Sequence, residues 1–220
     1  MPNSGCAGEL IREMRQSFLL FSLTAVVFTQ GCGALPTSTD EASFQRRYGD
    51  FTYCKVEVVR QSGYYTCGPA CLSTVLVYWD IDISQEQLLY KYPTQNHGPY
   101  SLLALQSIAE AEGLKAYVIS MDTQSRSALD EQIARGRPLI CAARLPRGLH
   151  FFQGVPILGD TCRILAWALY PRKDHFVVVA GSDPQKVLVM DPSHGFAALS
   201  WPRFEAAWSQ MKHACLLISK

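Results

Sequence analysis

The stretch of residues 61–72, QSGYYTCGPACL, decides how the rest of the chain is interpreted. Its first half is a polar loop, and residues 67–70 (CGPA) lead into an apolar run that continues to about Trp79. Proline is favoured in the first turn of a helix because the N–H that it lacks would have no partner there. The stretch therefore predicts a loop followed by a helix that opens at Cys67.

Cys67 is the candidate nucleophile, because the N-terminus of a helix favours the thiolate form of a cysteine. Gly68 beside it has no side chain and would let a substrate backbone approach closely. The alternative for Cys67 is a buried structural cysteine, since free cysteines are often found in protein cores. Cys71 lies one helical turn later in line with Val75, and we interpret it as a core residue.

Two apolar, β-branched runs near the end of the chain predict a β-hairpin. They are residues 175–180 (HFVVVA) and 187–190 (VLVM), and the turn formers of residues 181–186 (GSDPQK) separate them. If the turn is centred on Asp183, Val177 faces Val189 across the hairpin. The hairpin therefore fixes which residues of the two strands are neighbours.

By the same register, His175 faces Asp191. Directly opposed residues share a face of the sheet, with Cβ atoms about 5 Å apart. That separation lets a carboxylate hold an imidazole through one ring nitrogen. The hairpin therefore predicts His175 as the base and Asp191 as the residue that orients it.

Acyl transfer also needs hydrogen-bond donors for the developing oxyanion. Gln61 precedes Cys67 on the predicted loop. Its side-chain amide can act beside the backbone N–H of Cys67, so we assign Gln61 as the candidate oxyanion residue.

The remaining patterns predict an α+β fold, in which N-terminal helices pack on an antiparallel sheet. Ser84 and Gln87 form a capping box, and Ser101 begins a helix that ends before Gly113. The other predicted elements are a strand at residues 55–60, a helix at 126–135, a strand at 138–143, a helix at 203–211 and a strand at 214–218.

Composition limits the possible functions. The 220 residues carry a net charge of +1, which provides no basic surface for nucleic acid. No glycine-rich phosphate loop is present, and the sequence implies neither a metal nor another cofactor. With 48% hydrophobic residues, the chain can close one sizeable core.

The N-terminal region predicts export. Residues 17–29 (SFLLFSLTAVVFT) form an uncharged run of thirteen residues after Arg12 and Arg15, shorter than the roughly 20 residues that span a membrane. Gly31 and Cys32 resemble a bacterial lipobox, in which the cysteine is acylated. We therefore expect a signal peptide at residues 1–31 with lipidation at Cys32; plain cleavage and an uncleaved anchor are the alternatives.

This organisation predicts three segments: the signal peptide, a flexible tether at residues 32–50 and one domain at residues 51–220. The expected location is the bacterial cell envelope, as a membrane-anchored lipoprotein on the periplasmic face. An oxidising compartment permits disulfides, but the cysteine spacing fixes no pairing; Cys54 or Cys162 could take part.

The motifs around Gln61, Cys67, His175 and Asp191 together resemble the bacteriocin-processing, double-glycine cysteine peptidases. These are papain-like domains usually fused to peptide-exporting ABC transporters, and they have stand-alone relatives. The resemblance covers about residues 56–218. It implies a papain-like fold and the four roles given above.

Two departures from that family limit what is carried over. Thr66 stands where many transporter-fused members have Asp, and no transmembrane bundle or nucleotide-binding domain follows. A leader that ends in two glycines is therefore not carried over as the substrate, and separate export machinery becomes a candidate partner.

The expected activity is hydrolysis of a peptide bond in a peptide or protein substrate. Acyl transfer, as in phytochelatin-synthase-like proteins, would use the same residues. The third hypothesis is a non-catalytic peptide-binding module. The presence of Gln61, Cys67, His175 and Asp191 together argues against it, because a binding role needs no thiolate.

Overall fold

The computed structural model describes residues 48–121, 125–146 and 172–220. The predicted signal peptide, Cys32, Cys162 and the tether up to residue 47 lie outside these ranges. No helix within the described ranges has both the length and the apolar character needed to cross a bilayer.

The helices follow the predicted positions closely. The described α-helices are α1 (Cys67–Tyr78), α2 (Gln85–Lys91), α3 (Leu102–Ala111), α4 (Ser125–Ala134) and α5 (Trp201–Trp208). The capping box of Ser84 and Gln87 is present, and the Ser101 hydroxyl accepts a hydrogen bond from the N–H of Ala104. Local capping chemistry therefore sets where α2 and α3 begin.

Seven described strands form one antiparallel sheet. They are β1 (Thr52–Tyr53), β2 (Lys115–Ser120), β3 (Leu139–Pro146), β4 (Arg172–Ser182), β5 (Lys186–Asp191), β6 (Gly195–Ser200) and β7 (Ala214–Ser219). Their order is β2-β7-β3-β4-β5-β6, and β1 pairs with β4. The predicted α+β class is confirmed, with the addition of β1, β2 and β6, which the sequence patterns did not predict.

The strand predicted at residues 55–60 is wrong. Strand pairing ends at β1, after which the N–H of Cys54 donates to the carbonyl of Ala180. The N–H of Val56 then donates to the carbonyl of Cys54, which closes a tight three-residue turn. This turn takes the chain away from β4, so the β-branched residues that follow have no strand partner.

The β4–β5 hairpin forms, but its predicted register is wrong by two residues. Val189 pairs with Val179 rather than with Val177, and a β-bulge interrupts the ladder between Val179 and Gly181. The loop is also shorter than expected, because Asp183 Oδ1 accepts the N–H groups of Gln185 and Lys186. The extra residue at the bulge and the tight turn together produce the shift.

Helix α1 is the central helix of the packing. All residues from Cys67 to Leu76 are buried, and the helix packs against β4, α2 and α3. A helix that is apolar all round must be covered on every side. This burial fixes the first turn of α1 firmly against the strand that carries His175.

Candidate active site

Cys67 is the first residue of α1, and 8% of its surface is exposed. The Thr66 side chain does not cap the helix, because its hydroxyl hydrogen-bonds both the N–H and the carbonyl of Gly63. The Thr66 hydroxyl therefore does not occupy the N–H groups at the start of α1. The partial positive charge of these groups favours a thiolate at Cys67.

Gly68 has a packing role that the sequence did not predict. A Cβ atom at this position would lie 3.3 Å from Leu105 Cδ1 and 3.3 Å from Tyr100 Cβ. Both contacts are on the side of α3, inside the core. The glycine therefore permits close packing of α1 against α3.

His175 lies on β4 and is 4% exposed. Its Nε2 atom is 2.9 Å from Asp191 Oδ1, while Nδ1 has no nitrogen or oxygen partner among the described residues. Burial alone would lower the pKa of the imidazole, but hydrogen bonds to Asp191 and Cys67, with the charges of both groups, raise it to about 9. Because Asp191 occupies Nε2, Nδ1 is the ring nitrogen left for the thiol, and Cys67 is close enough to raise the pKa of His175.

Asp191 is completely buried at the end of β5. Burial opposes ionisation, but the hydrogen bond and charge of His175, together with the N–H of Ser193, lower the pKa of the carboxyl below its usual value. The Ser193 N–H lies 2.8 Å from the same Oδ1 that binds His175. The carboxylate is thus held ionised beside the imidazole.

The corrected register explains how His175 and Asp191 meet. A shift of two residues keeps the same side chains on the same face, because strand side chains alternate with a period of two. His175 is therefore a diagonal neighbour of Asp191 on the adjacent strand. The Cα atoms of such neighbours are about 7–8 Å apart, a distance that the imidazole side chain can span. The predicted pair is present, although the predicted direct opposition is not.

Gln61 lies against the loop that follows Asp191. Its N–H donates to the carbonyl of Pro192 at 2.9 Å, and its Oε1 accepts the Ser193 hydroxyl at 2.9 Å. Its Nε2 donates to the carbonyl of Gly63 at 2.8 Å. The structure therefore connects Gln61 to the same short loop that positions Asp191.

A cleft of about 480 Å³ opens at Cys67. Its walls come from the loop before α1, the start of α3, strands β3 and β4, and the approach to β7. The lining residues are Tyr64, Tyr65, Cys67, Pro99, Tyr100, Ser101, Leu102, Ala142, Asp174, Phe176, Met211 and Ala214. Most of these side chains are apolar or aromatic, so the cleft suits a ligand with apolar groups.

Sequence analysis missed three residues around this site. His194 is half-buried, and burial with the charges of Arg60 and His175 lowers its pKa. Ser193 and Gln85, which hold the Gln61 loop, were not singled out. Ser193 could have been singled out from the sequence by its position directly after Asp191 and Pro192. The sequence gives no such indication for Gln85, because its bond to Ser62 joins residues 23 positions apart.

The other cysteines in the described ranges, Cys54, Cys71, Cys141 and Cys215, are buried and form no disulfide. Cys71 is completely buried, and burial, followed by the charges of Cys67 and Asp191, raises the pKa of its thiol. Cys54 is also buried, with a pKa raised by burial to about 11. The described part of the chain contains no group of three or more His, Cys, Asp or Glu side chains that could hold a metal ion.

Comparison with known proteins gives a family and a fold. The sequence model of the Peptidase_C39 like family matches residues 53–216. A search of the curated proteins finds no match.

Three solved structures are similar to the chain. A double glycine motif protease from an AMS/PCAT transporter, in complex with the leader peptide, has a TM-score of 0.51 and 19% identity over 76% of this chain and 94% of that one. A putative C39-like peptidase from Bacillus anthracis has a TM-score of 0.54 and 16% identity over 76% and 96%. The peptidase domain of Streptococcus ComA, a bi-functional ABC transporter, has a TM-score of 0.52 and 21% identity over 76% and 98%. The predicted papain-like fold is thereby confirmed.

Proposed function

We propose, from the premise that the chain belongs to the Peptidase_C39 like family, that it is an active cysteine peptidase. The observation that carries the proposal is the buried hydrogen bond between His175 and Asp191, beside which Cys67 lies close enough to raise the pKa of His175. Family membership alone is compatible with an inactive member. A retained, hydrogen-bonded set of nucleophile, base and orienting carboxylate supports activity.

In the proposed reaction, the Cys67 thiolate attacks the carbonyl carbon of the scissile peptide bond. The carbonyl oxygen becomes an oxyanion, which receives hydrogen bonds from the Cys67 N–H and the Gln61 amide. Protonated His175 gives its proton to the leaving nitrogen as the C–N bond breaks, which leaves a thioester on Cys67. His175 then takes a proton from water, the water oxygen attacks the thioester, and the Cys67 sulfur leaves.

A peptide is the substrate class that we propose for the cleft. One of the similar structures holds a leader peptide, and the cleft here has an aromatic wall that includes Tyr64, Tyr65 and Phe176. Aromatic side chains contribute large contact areas with little loss of conformational entropy. The sequence cut by this protein is to be determined by experiment.

The test is cleavage of a diverse peptide mixture, with the cut sites identified by mass spectrometry. The purified protein is expected to produce new termini at defined positions, and Cys67→Ala is expected to produce none. Cys71→Ala, one helical turn away and outside the cleft, is the matched control and should retain cleavage.

Identical products from the protein and from Cys67→Ala would contradict the proposal. A new amide or thioester formed with an added acceptor would identify acyl transfer instead of hydrolysis. Peptide binding without any product would identify the binding module.

We also propose that the protein is exported and anchored in the bacterial envelope through an acylated Cys32, facing the periplasm, where separate export machinery could deliver substrates. The support is the lipobox-like sequence after residues 17–29. Metabolic labelling with a fatty acid should mark the protein, and Cys32→Ser should abolish the label. A labelled Cys32→Ser variant would overturn this anchor.

A further inference from the structure

We propose that Ser193 is a positioning residue that sets the direction of the Gln61 amide at the oxyanion site. This inference rests on the proposed peptidase function. It concerns a residue with no expected contact with the substrate, whose hydroxyl lies 2.9 Å from Gln61 Oε1.

The hydrogen-bond partners of Gln61 determine the direction of its amide. The carbonyl oxygen of Gly63 can only accept, so the group of Gln61 that lies 2.8 Å from it must be the NH2 group. Oε1 then faces the Ser193 hydroxyl, which must be the donor. Nε2 carries a second hydrogen, which is the one available to an oxyanion.

The backbone of the Gln61 loop is held without the Ser193 hydroxyl. The N–H of Gln61 binds the carbonyl of Pro192 at 2.9 Å. Gln85, which is 2% exposed, accepts the N–H of Ser62 at 3.2 Å and donates to the carbonyl of Arg60 at 3.2 Å. These bonds fix the chain on both sides of Gln61. Loss of the Ser193 hydroxyl should therefore leave the loop in place, with the amide held only by its bond to the Gly63 carbonyl and Oε1 without its donor.

Ser193 also contacts Asp191, but through a different group. Its backbone N–H donates to Asp191 Oδ1, and this bond survives any side-chain substitution other than proline. The two contacts can therefore be separated: replacing the hydroxyl affects Gln61, while the carboxylate that orients His175 keeps its donor.

The experiment compares peptide cleavage by the protein with that by Ser193→Ala, Ser193→Thr and Gln61→Ala. Ser193→Ala is expected to lower kcat about tenfold, the effect of one hydrogen bond, with KM changed less than twofold. Ser193→Thr keeps a hydroxyl and should restore most of kcat. Ser107→Ala removes an exposed serine hydroxyl of α3 and is the matched control, expected to equal the unmodified protein.

The double variant Gln61→Ala/Ser193→Ala provides the decisive measurement. If Ser193 acts through Gln61, the double variant should be no slower than Gln61→Ala alone, which should lose roughly 10²–10³-fold. The rate of Cys67 alkylation should be unchanged in Ser193→Ala, because thiolate formation does not need the amide.

An unchanged kcat in Ser193→Ala, or a double variant whose loss equals the product of the two single losses, would overturn the role of Ser193 and leave the peptidase proposal standing. Slower Cys67 alkylation in Ser193→Ala would likewise overturn it, because the residue would then act through Asp191. Absence of cleavage by the unmodified protein would overturn the peptidase proposal, and this role with it.

Discussion

The imidazole of His175 carries two partners, a buried carboxylate on Nε2 and the Cys67 thiol on the other side. Its pKa of about 9 means that it is protonated across the neutral range. In the proposed mechanism, this protonated imidazole would stabilise the thiolate and give its proton to the leaving amine. Both proposed functions would depend on Asp191, whose hydrogen bond and charge counter the lowering of the His175 pKa by burial.

We predict that Asp191→Asn moves the alkaline limit of activity from about pH 9 towards pH 6.5. At pH 8 the rate should fall by roughly 30-fold, because an imidazole with an ordinary pKa of about 6.5 is then about 97% deprotonated. The pH profiles of cleavage and of Cys67 alkylation measure this. Asp80→Asn, an exposed carboxylate paired with Lys220, is the control; an unmoved alkaline limit in Asp191→Asn would contradict the prediction.

We predict that an alkylating reagent labels Cys67 at least 100-fold faster than Cys71. Cys67 lines the cleft, whereas Cys71 is completely buried and its thiol has a raised pKa, mainly through burial. His175→Ala should slow labelling of Cys67 and leave Cys71 unchanged. Peptide mass mapping over time measures both rates, and equal, slow labelling of the two would argue for a non-catalytic protein.

The arrangement of the candidate reacting groups could be predicted from the sequence better than the side chains that hold the surrounding loops. Cys67, His175 and Asp191 stand in positions whose chemistry depends on local patterns, namely a helix start and a hairpin. The contacts of Ser193 and Gln85 with the Gln61 loop depend on how segments distant in sequence come together. Gln85, for example, bonds to Ser62 across 23 residues. Hydrogen bonds of that kind have no periodic signature, so the sequence does not reveal them.

Strand β4 approaches β1 closely at one glycine. At Gly181 it pairs with Tyr53 of β1, and a Cβ atom there would lie 2.7 Å from Tyr53 Cβ and 2.9 Å from the Thr52 carbonyl oxygen. Neither atom is the end of a flexible side chain, so the two backbones would have to separate.

We predict that Gly181→Ala lowers the free energy of unfolding by about 1–3 kcal/mol, the usual cost of overpacking. Chemical denaturation with circular dichroism measures the change. Gly98→Ala is the matched control, because its Cβ would meet only the Gln95 carbonyl oxygen, at 3.4 Å. Equal stability of the Gly181→Ala and Gly98→Ala variants would be evidence against the close approach of β1 and β4.

Helices and strands differed in how well the sequence predicted them. Helices α2 and α3 begin at serines whose caps are readable in the sequence. The β4–β5 register was missed because the turn is centred later in the chain than Asp183, and a bulge after Val179, which no composition pattern marks, removes only part of that displacement. The site survived this error since the shift was even, and an odd shift would have turned His175 to the opposite face.

At the scale of the whole molecule, the α+β fold class was predictable from the sequence, whereas the order of the strands in the sheet was not predicted. Alternation and turn formers indicated an antiparallel sheet, but β2 and β6 have weak patterns and were missed. Strand β2 is an edge strand with exposed Lys115, Tyr117 and Ser120, and it is recognisable only by its pairing with β7. Long-range pairing of this kind depends on the complete fold.

We predict that stability falls as the pH rises from 6.5 to above 9. A histidine whose folded pKa is raised stabilises the fold fully below its unfolded pKa of about 6.5, and this contribution disappears as the pH passes about 9. The difference corresponds to about 3 kcal/mol. Urea denaturation at pH 6 and pH 10 measures it, and a loss of equal size in Asp191→Asn would contradict the assignment to this pair.

The position of β7 between β2 and β3 has a consequence for biosynthesis. Cys67 leaves the ribosome more than a hundred residues before His175 and Asp191, and the strand that joins β2 to β3 comes later still. A nascent chain therefore carries the Cys67 thiol without His175 for about half of its translation. If the protein is the proposed peptidase, proteolytic competence would arrive only when synthesis is nearly finished, which would protect the emerging polypeptide from premature self-digestion.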